Sequence, residues 1–405
     1  MPKVMKGVRV LEAAEFAMAP SAAAVLADWG ADVIKIEHAQ RGDATRNSSA
    51  WGVKPGDGNF TYLWEPFNRG KRVIGVDLSV PEGREILIEL AKQADIFITN
   101  YLPAARRKLR FDVEDLRAVN PNLIYARGSA HGPKGPEAED GGFDGLTYWM
   151  RSGASAAAMP ANTQTLIGLP APAFGDIQVG MELAGGLAAA LYHREKTGEA
   201  LTVDISLLSA GVWAMQAYLI GTNLSGQREL PHMDRERAFN PIWNEYRTKD
   251  GHYIALAMFQ SDRYWAGFCD TVGLEHIKND PRFIDMAARE KNREECIKLL
   301  DEEFAKRTCE EWETLLRQQK GQWSRVQLTS DLNHDPQVWA NGYLQEVDYG
   351  DGRKITLASN PVQFNETSPE LRPAPEHGQH TEEILLEMGL EWEEIIALKE
   401  KGAIN

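Results

Sequence analysis

The chain is short of cysteine and of positive charge. Three cysteines occur in 405 residues, Cys269, Cys296 and Cys309. No two stand as a CxxC pair and no Cys/His spacing suits zinc, which points to a reduced, cytosolic compartment. Forty-four Lys and Arg face 59 Asp and Glu, a formal charge of −15. A general nucleic-acid binder needs a basic footprint, so that class is set aside, although an anionic ligand held by a local basic patch is not. The opening MPKVMKGVRVLE enters a strand-like run with no signal-peptide core. One stretch, 205–227, has no charged residue. It lacks basic flanks and carries Ser206, Ser209, Gln216, Thr222, Asn223 and Ser225, so it reads as a buried or interface helix and not as a membrane span.

What is present is an ordinary globular composition, 43% hydrophobic and 25% charged, long enough for two domains. The first half alternates strand-like and helix-like segments. GVRVLE (7–12), ADVIKIE (31–37), RVIGVDL (72–78), DIFIT (95–99) and NLIYARG (122–128) read as strands. APSAAAVLADWG (19–30) and PEGREILIELAKQA (81–94) read as the helices between them. This rhythm predicts βαβ units and a mostly parallel sheet. From 240 to 258 the pattern predicts a hairpin turning on Asp250-Gly251, then charged helices to about 320, and later strand, loop and a helix at 381–389.

An α/β sheet invites the common nucleotide and hydrolase chemistries, and their motifs are missing. The first βα turn reads EAAEFAMAPSAAA and has no GxGxxG. There is no Walker A sequence, no GxSxG elbow and no HExxH. Two basic clusters remain, NRGKR (68–72) and NYLPAARRKLR (100–110). The second puts Arg106, Arg107 and Lys108 behind a strand end and a helix opening with Pro103, where a phosphate would be welcome. A solvated face explains the same run equally well. One carboxylate also stands out. Asp176 lies at the mouth of the apolar run PAPAFGDIQVGMELAGGLAAALY, where it either caps a helix or reacts.

Several segments then fall into one frame: 7–37, GDATR (42–46), NRGKRVIGVDL (68–78), ADIFITNYLP (94–103), NPNLIYARGSAHGPKGP (120–136), the run 175–208, NEYRTKDGHYIAL (244–256) and PEHGQHTEEILLEMG (375–389). In this order the chain resembles the class III (CaiB/BaiF) CoA-transferases. The resemblance implies an α/β fold with a large Rossmann-like parallel-sheet domain, residues 1–225 completed by 326–405. A smaller α+β domain over 226–325 and an interlocked homodimer are implied with it. It implies transfer of CoA between an acyl-CoA thioester and a free carboxylic acid, with Asp176 as nucleophile and no metal or redox cofactor. Membranes and nucleic acid are not implied as partners.

For CoA the family pattern carries onto Lys71, Arg72, Asn100, Tyr101 and Lys108, with Arg106 beside the last and Arg46 in GDATR. His38 stands where many members have Arg. Ala17 replaces the Gln of formyl-CoA transferases, and 226–240 shows no glycine-rich flap. At the racemase histidine position the chain has Phe143, followed by Asp144. A phenylalanine moves no proton. His131 and Phe143 are the expected substrate-orienting residues. A racemase and a CoA-binding protein without turnover stay as alternatives. The apolar surroundings of Asp176 suggest a medium or large apolar or aromatic acid, with a small diacid as the other choice. A helix N-terminus is expected to keep Asp176 ionised.

Overall fold

The computed structural model describes residues 1–47 and 61–405. Six short strands form one sheet: β1 (Arg9–Ala13), β2 (Asp32–Glu37), β3 (Arg72–Gly75), β4 (Ile96–Thr99), β5 (Ile124–Ser129) and β6 (Thr202–Ser206). Their order is β3-β2-β1-β4-β5-β6 and every pairing is parallel. This is the doubly wound order, which changes direction between β1 and β4 and opens a crevice at the carboxyl ends there. The central strands are apolar because both faces are covered. Val10, Ile96, Ile98 and Ile124 bury one face, and Leu11, Phe97 and Tyr125 the other.

The first helix, α1 (Met18–Asp28), is alanine-rich and buried from Met18 to Ala27. Small side chains let it lie directly against the long helix that carries Asp176. A Cβ on Gly180 of that helix would stand 2.5 Å from the Ser21 Cβ and 2.9 Å from the Met18 carbonyl oxygen. On the other sheet face α2 (Pro81–Lys92) opens with its proline at the first helical turn and buries Ile86, Leu87, Leu90 and Ala91. The short α3 (Pro103–Leu109) follows β4, and α4 (Phe174–Thr197) is the long helix before β6.

The uncharged stretch 205–227 is not one helix. Its first residues finish β6, and a Ser206–Ser209 capping box then starts α5 (Leu207–Ala214). The chain breaks at Met215, and α6 (Gln216–Ser225) buries none of its residues. Among the described residues no helix is long and apolar enough to cross a membrane.

Two compact units emerge. One comprises 1–156, 167–228 and 336–405, and the other 157–166 with 229–335. The second unit thus reaches past 325 and draws in ten residues that a linear reading leaves with the first. Its sheet has β7 (Glu245–Arg247), β8 (Tyr253–Leu256) and β9 (Trp323–Arg325) in antiparallel order, with Gly251 turning the hairpin at φ 84°. Tyr246, Phe304 and Trp312 stack at its centre, with Cys269, Cys296 and Cys309 buried around them.

Candidate active site

A cavity of about 420 Å³ lies at the carboxyl edge of the parallel sheet. The segments after β1, β4, β5 and β6 contribute Phe16 and Met18, Asn100 to Pro103, Ser129 and Ala130, and Leu207. Asp176 reaches it from the first turn of α4, and Gly141, Gly142 and Phe143 close it from the long β5–α4 connection. Ligands of open α/β sheets bind in this place.

Asp176 lines the cavity and does not cap its own helix. The N-cap of α4 is Ala173, at φ 58°, and no side chain of its own caps the helix. The cap comes from 31 residues upstream. Asp144 accepts from the Gly145 amide at 2.7 Å and, through its other oxygen, from the Gly175 amide at 3.2 Å. A second anion therefore takes up the Gly175 amide at this helix end. The helix terminus does not lower the Asp176 carboxyl: desolvation, and then the charge of Asp144, push it up to about 7. Among the described residues none hydrogen-bonds its carboxylate, so it stands free toward the cavity. Gly175 is required beside it, since a Cβ there would lie 2.5 Å from the Tyr148 ring.

A second cavity of about 300 Å³ opens on the far side of Tyr101, which lines both. It is bounded by His38, Arg41, Asp77, Ser79 and Leu109. Arg41 pairs with Glu15 at 3.2 Å and stays largely exposed. A ligand with a polar head and an extended tail fits two cavities separated by one aromatic ring.

The residues singled out in the sequence divide accordingly. Asp176, Asn100, Tyr101, Arg106 and Phe143 line the first cavity, and His38 and Tyr101 the second. Lys71 is not available to a ligand. Its ammonium is buried and donates to Glu12 (2.6 Å), Asn68 (3.0 Å) and the Pro20 carbonyl (3.0 Å), which uses all three protons. Arg72 begins β3 at the opposite, amino edge of the sheet, bound to Asp32 and Glu387. Arg46 lines neither cavity; it pairs with Glu37 at 3.0 Å, and its guanidinium sits 3.5 Å over the Trp64 ring. Arg106 is buried and committed to Asp112 and the Tyr101 carbonyl. Arg107 pairs with Glu139 on the surface. Lys108 is exposed and borders neither cavity. His131 lies against Arg151 at 3.3 Å, outside the cavity lining.

Four residues here were not readable as site residues. Phe16 lies in the matching segment 7–37 and Asp144 beside Phe143, but the sequence alone gives neither a role, and Arg127 and Asp204 pair bidentately only because β5 and β6 are neighbours (2.7 and 3.0 Å). Lys35 completes the buried ionic layer beneath the site, contacting Glu12 (2.8 Å), Asp43 (2.9 Å) and the Ala14 carbonyl (2.6 Å). Among the described residues no three His, Cys, Asp or Glu side chains converge as a metal site.

Comparison with known proteins agrees with this geometry. Residues 5–381 match the model of CoA-transferase family III. The chain is 33% identical to the (R)-2-hydroxy-4-methylpentanoate CoA-transferase of Clostridioides difficile, over 99% of this chain and 100% of that protein. It is 29% identical to human succinyl-CoA:glutarate CoA-transferase, over 95% of this chain and 86% of that one. A CaiB/BaiF family protein from Brucella suis superposes with a TM-score of 0.82 at 26% identity, covering 96% of this chain and all of that structure. Sequence and fold thus agree along nearly the whole length, and the protein belongs to CoA-transferase family III, the CaiB/BaiF enzymes.

Proposed function

We propose that the protein moves CoA from an acyl-CoA thioester to a free carboxylic acid, with Asp176 as the covalent nucleophile. The observation that carries this is the division of labour at α4: Asp144 caps the helix, and Asp176 faces a cavity with its oxygens unengaged. One Asp176 oxygen attacks the thioester carbonyl carbon, the C–S bond breaks, and CoA thiolate leaves behind an acyl-aspartyl anhydride. The thiolate then attacks the aspartyl carbonyl and expels the first carboxylate, which leaves CoA as a thioester on Asp176. An incoming carboxylate attacks that thioester, and the released thiolate attacks the new acyl carbonyl, freeing product and Asp176. No electron changes owner and no water is consumed, so the steps balance without redox or metal chemistry.

A carboxylate that titrates near neutrality is a stronger nucleophile than an ordinary one, and roughly half of it is ionised near pH 7. The nucleotide end of CoA would lie in the cavity of His38 and Arg41, its tail passing Tyr101 toward Asp176. Racemisation is disfavoured because Phe143, which moves no proton, stands at the position of the racemase histidine. The protein is inferred to act as a homodimer in the cytosol. Trp213, Leu219, Ile220 and Leu224 are exposed apolar side chains on α5 and α6, of the kind a subunit interface covers. The acids of the named relatives differ, so kinship alone leaves the substrate open.

Intact-protein mass spectrometry tests the reading. Incubation with a panel of acyl-CoA thioesters should give an acyl- or CoA-sized adduct that is absent in Asp176→Ala. No adduct and no exchange of labelled CoA across the panel would refute transfer. Deuterium exchange at the α-carbon without CoA exchange would mark a racemase, and binding without either a protein that holds CoA and does not turn it over.

A further inference from the structure

One wall of the Asp176 cavity is aromatic and conformationally strained. Phe16 has φ 66°, in the left-handed region, where a bulky side chain is an outlier. Strain of this kind persists when the surroundings over-determine the backbone, and it gathers at ligand clamps. The surroundings do so here. Lys35 holds the Ala14 carbonyl (2.6 Å), Asn100 brackets the Glu15 amide and carbonyl (3.0 and 2.6 Å), and Lys71 holds the Pro20 carbonyl (3.0 Å).

The strained residue delivers its ring to the cavity. Phe16 meets Phe143 edge-on, with centroids 5.4 Å apart and planes at 83°. Even so paired, the two remain 42% and 57% exposed, and Leu102 and Leu146 beside them 45% and 65%. Apolar surface of that extent, turned into a cavity that also holds a reactive carboxylate, is suited to an apolar ligand.

The charges at this wall point the same way. Among the described lining residues the cations are Arg106 and Arg127, and each is matched within the chain, by Asp112 and by Asp204. Asp140 and Asp176 also line the cavity, and neither has a cation paired with it among the described residues. A second carboxylate on the acyl group would shed its hydration beside carboxylates, which is doubly unfavourable.

We infer that Phe16 and Phe143 form the acyl-binding wall, and that they select CoA thioesters of uncharged branched or aromatic acids against those of dicarboxylic acids. This rests on CoA transfer at Asp176 and adds the class of acid.

The test measures binding apart from turnover. S-(3-phenylpropyl)-CoA and S-(3-carboxypropyl)-CoA are thioethers with no carbonyl for Asp176 to attack, and calorimetric titration compares them on the wild-type protein. The phenyl ligand should bind at least about tenfold tighter, a difference of about 1.4 kcal/mol. In Phe16→Ala and Phe143→Ala the ratio should fall to within about threefold, since the apolar surface is lost. Phe143→Leu should keep the discrimination against the carboxylate while losing preference for phenyl over a 4-methylpentyl ligand. Equal or tighter binding of the carboxypropyl ligand overturns the inference, as does an unchanged ratio in both alanine variants. Labelled CoA exchange on the same wild-type preparation separates the two readings. Exchange without the preference sinks only the acid class, and the preference without exchange sinks only transfer.

Discussion

The carboxylate of Asp144 accepts a hydrogen bond from the Gly175 amide at 3.2 Å, so the residue before Asp176, the proposed nucleophile, is held by a second anion. Asp144→Asn keeps the shape and removes the charge. With the repulsion gone, Asp176 ionises more readily, and the acid limb of the pH–rate profile for CoA exchange should move to lower pH. The loss of cap bonding should cost about 1–2 kcal/mol in urea unfolding. A uniform drop in rate at every pH, with the limb unmoved, would reduce Asp144 to a purely structural cap.

The wild-type profile itself has a predicted sign. Asp176 must be ionised to attack, so kcat/KM should rise with pH and level off above about 7. A rise centred near 4 would contradict the burial seen at the mouth of α4.

The same group sets a stability cost. Its folded value lies near 7 against an ordinary value of 3.8, so its neutral form is the one favoured by folding. Between these values the unfolded chain gives up the proton first, and stability declines as pH rises. Asp176→Asn should therefore be inactive yet more stable than wild type at pH 8, by roughly 4 kcal/mol, with the gain vanishing below pH 4. Thermal melts at the two pH values measure it.

Gly175→Ala places a methyl 2.5 Å from the buried Tyr148 ring. Overpacking of this kind costs about 1–3 kcal/mol, and here it displaces the reacting carboxylate as well. The rate of CoA exchange should fall about a hundredfold, the scale associated with a shift of roughly 1 Å at a reacting group. Adding Tyr148→Ala should restore part of it. A fully active single variant would show that the close approach is relieved at little cost.

Lys71 supplies a contrast between a ligand contact and a buried bolt. Lys71→Met removes one partner of the buried Glu12 charge, which typically costs about 3–5 kcal/mol. The loss should appear in denaturant midpoints. A variant of normal stability with a raised KM for the thioester would instead restore the direct role in CoA binding.

The sheet, its order of elements and the position of Asp176 were legible because each has a local signature. Alternating apolar runs mark the strands, Pro81 opens α2, and the apolar run after Asp176 marks α4. The capping role of Asp144 was not legible, since the amide it binds is 31 residues away. Lys71 was misjudged for a related reason. A cation ahead of a strand looks solvated until β1 brings Glu12 underneath it. Arg72 failed through direction, as it begins its strand at the edge away from the cavity. The uncharged stretch 205–227 gave no sign of its interruption at Met215, because the Ser206–Ser209 box starts a helix without saying where it stops.

Lys35 and Lys71 grip the loop of Phe16 by its backbone carbonyls at Ala14 and Pro20, and touch none of its side chains. The backbone at position 16 is thus held apart from the ring it carries, although its φ of 66° favours residues that tolerate the left-handed region. A substitution at position 16 would reshape one wall of the cavity while Asp176, carried on a separate helix, keeps its place on another.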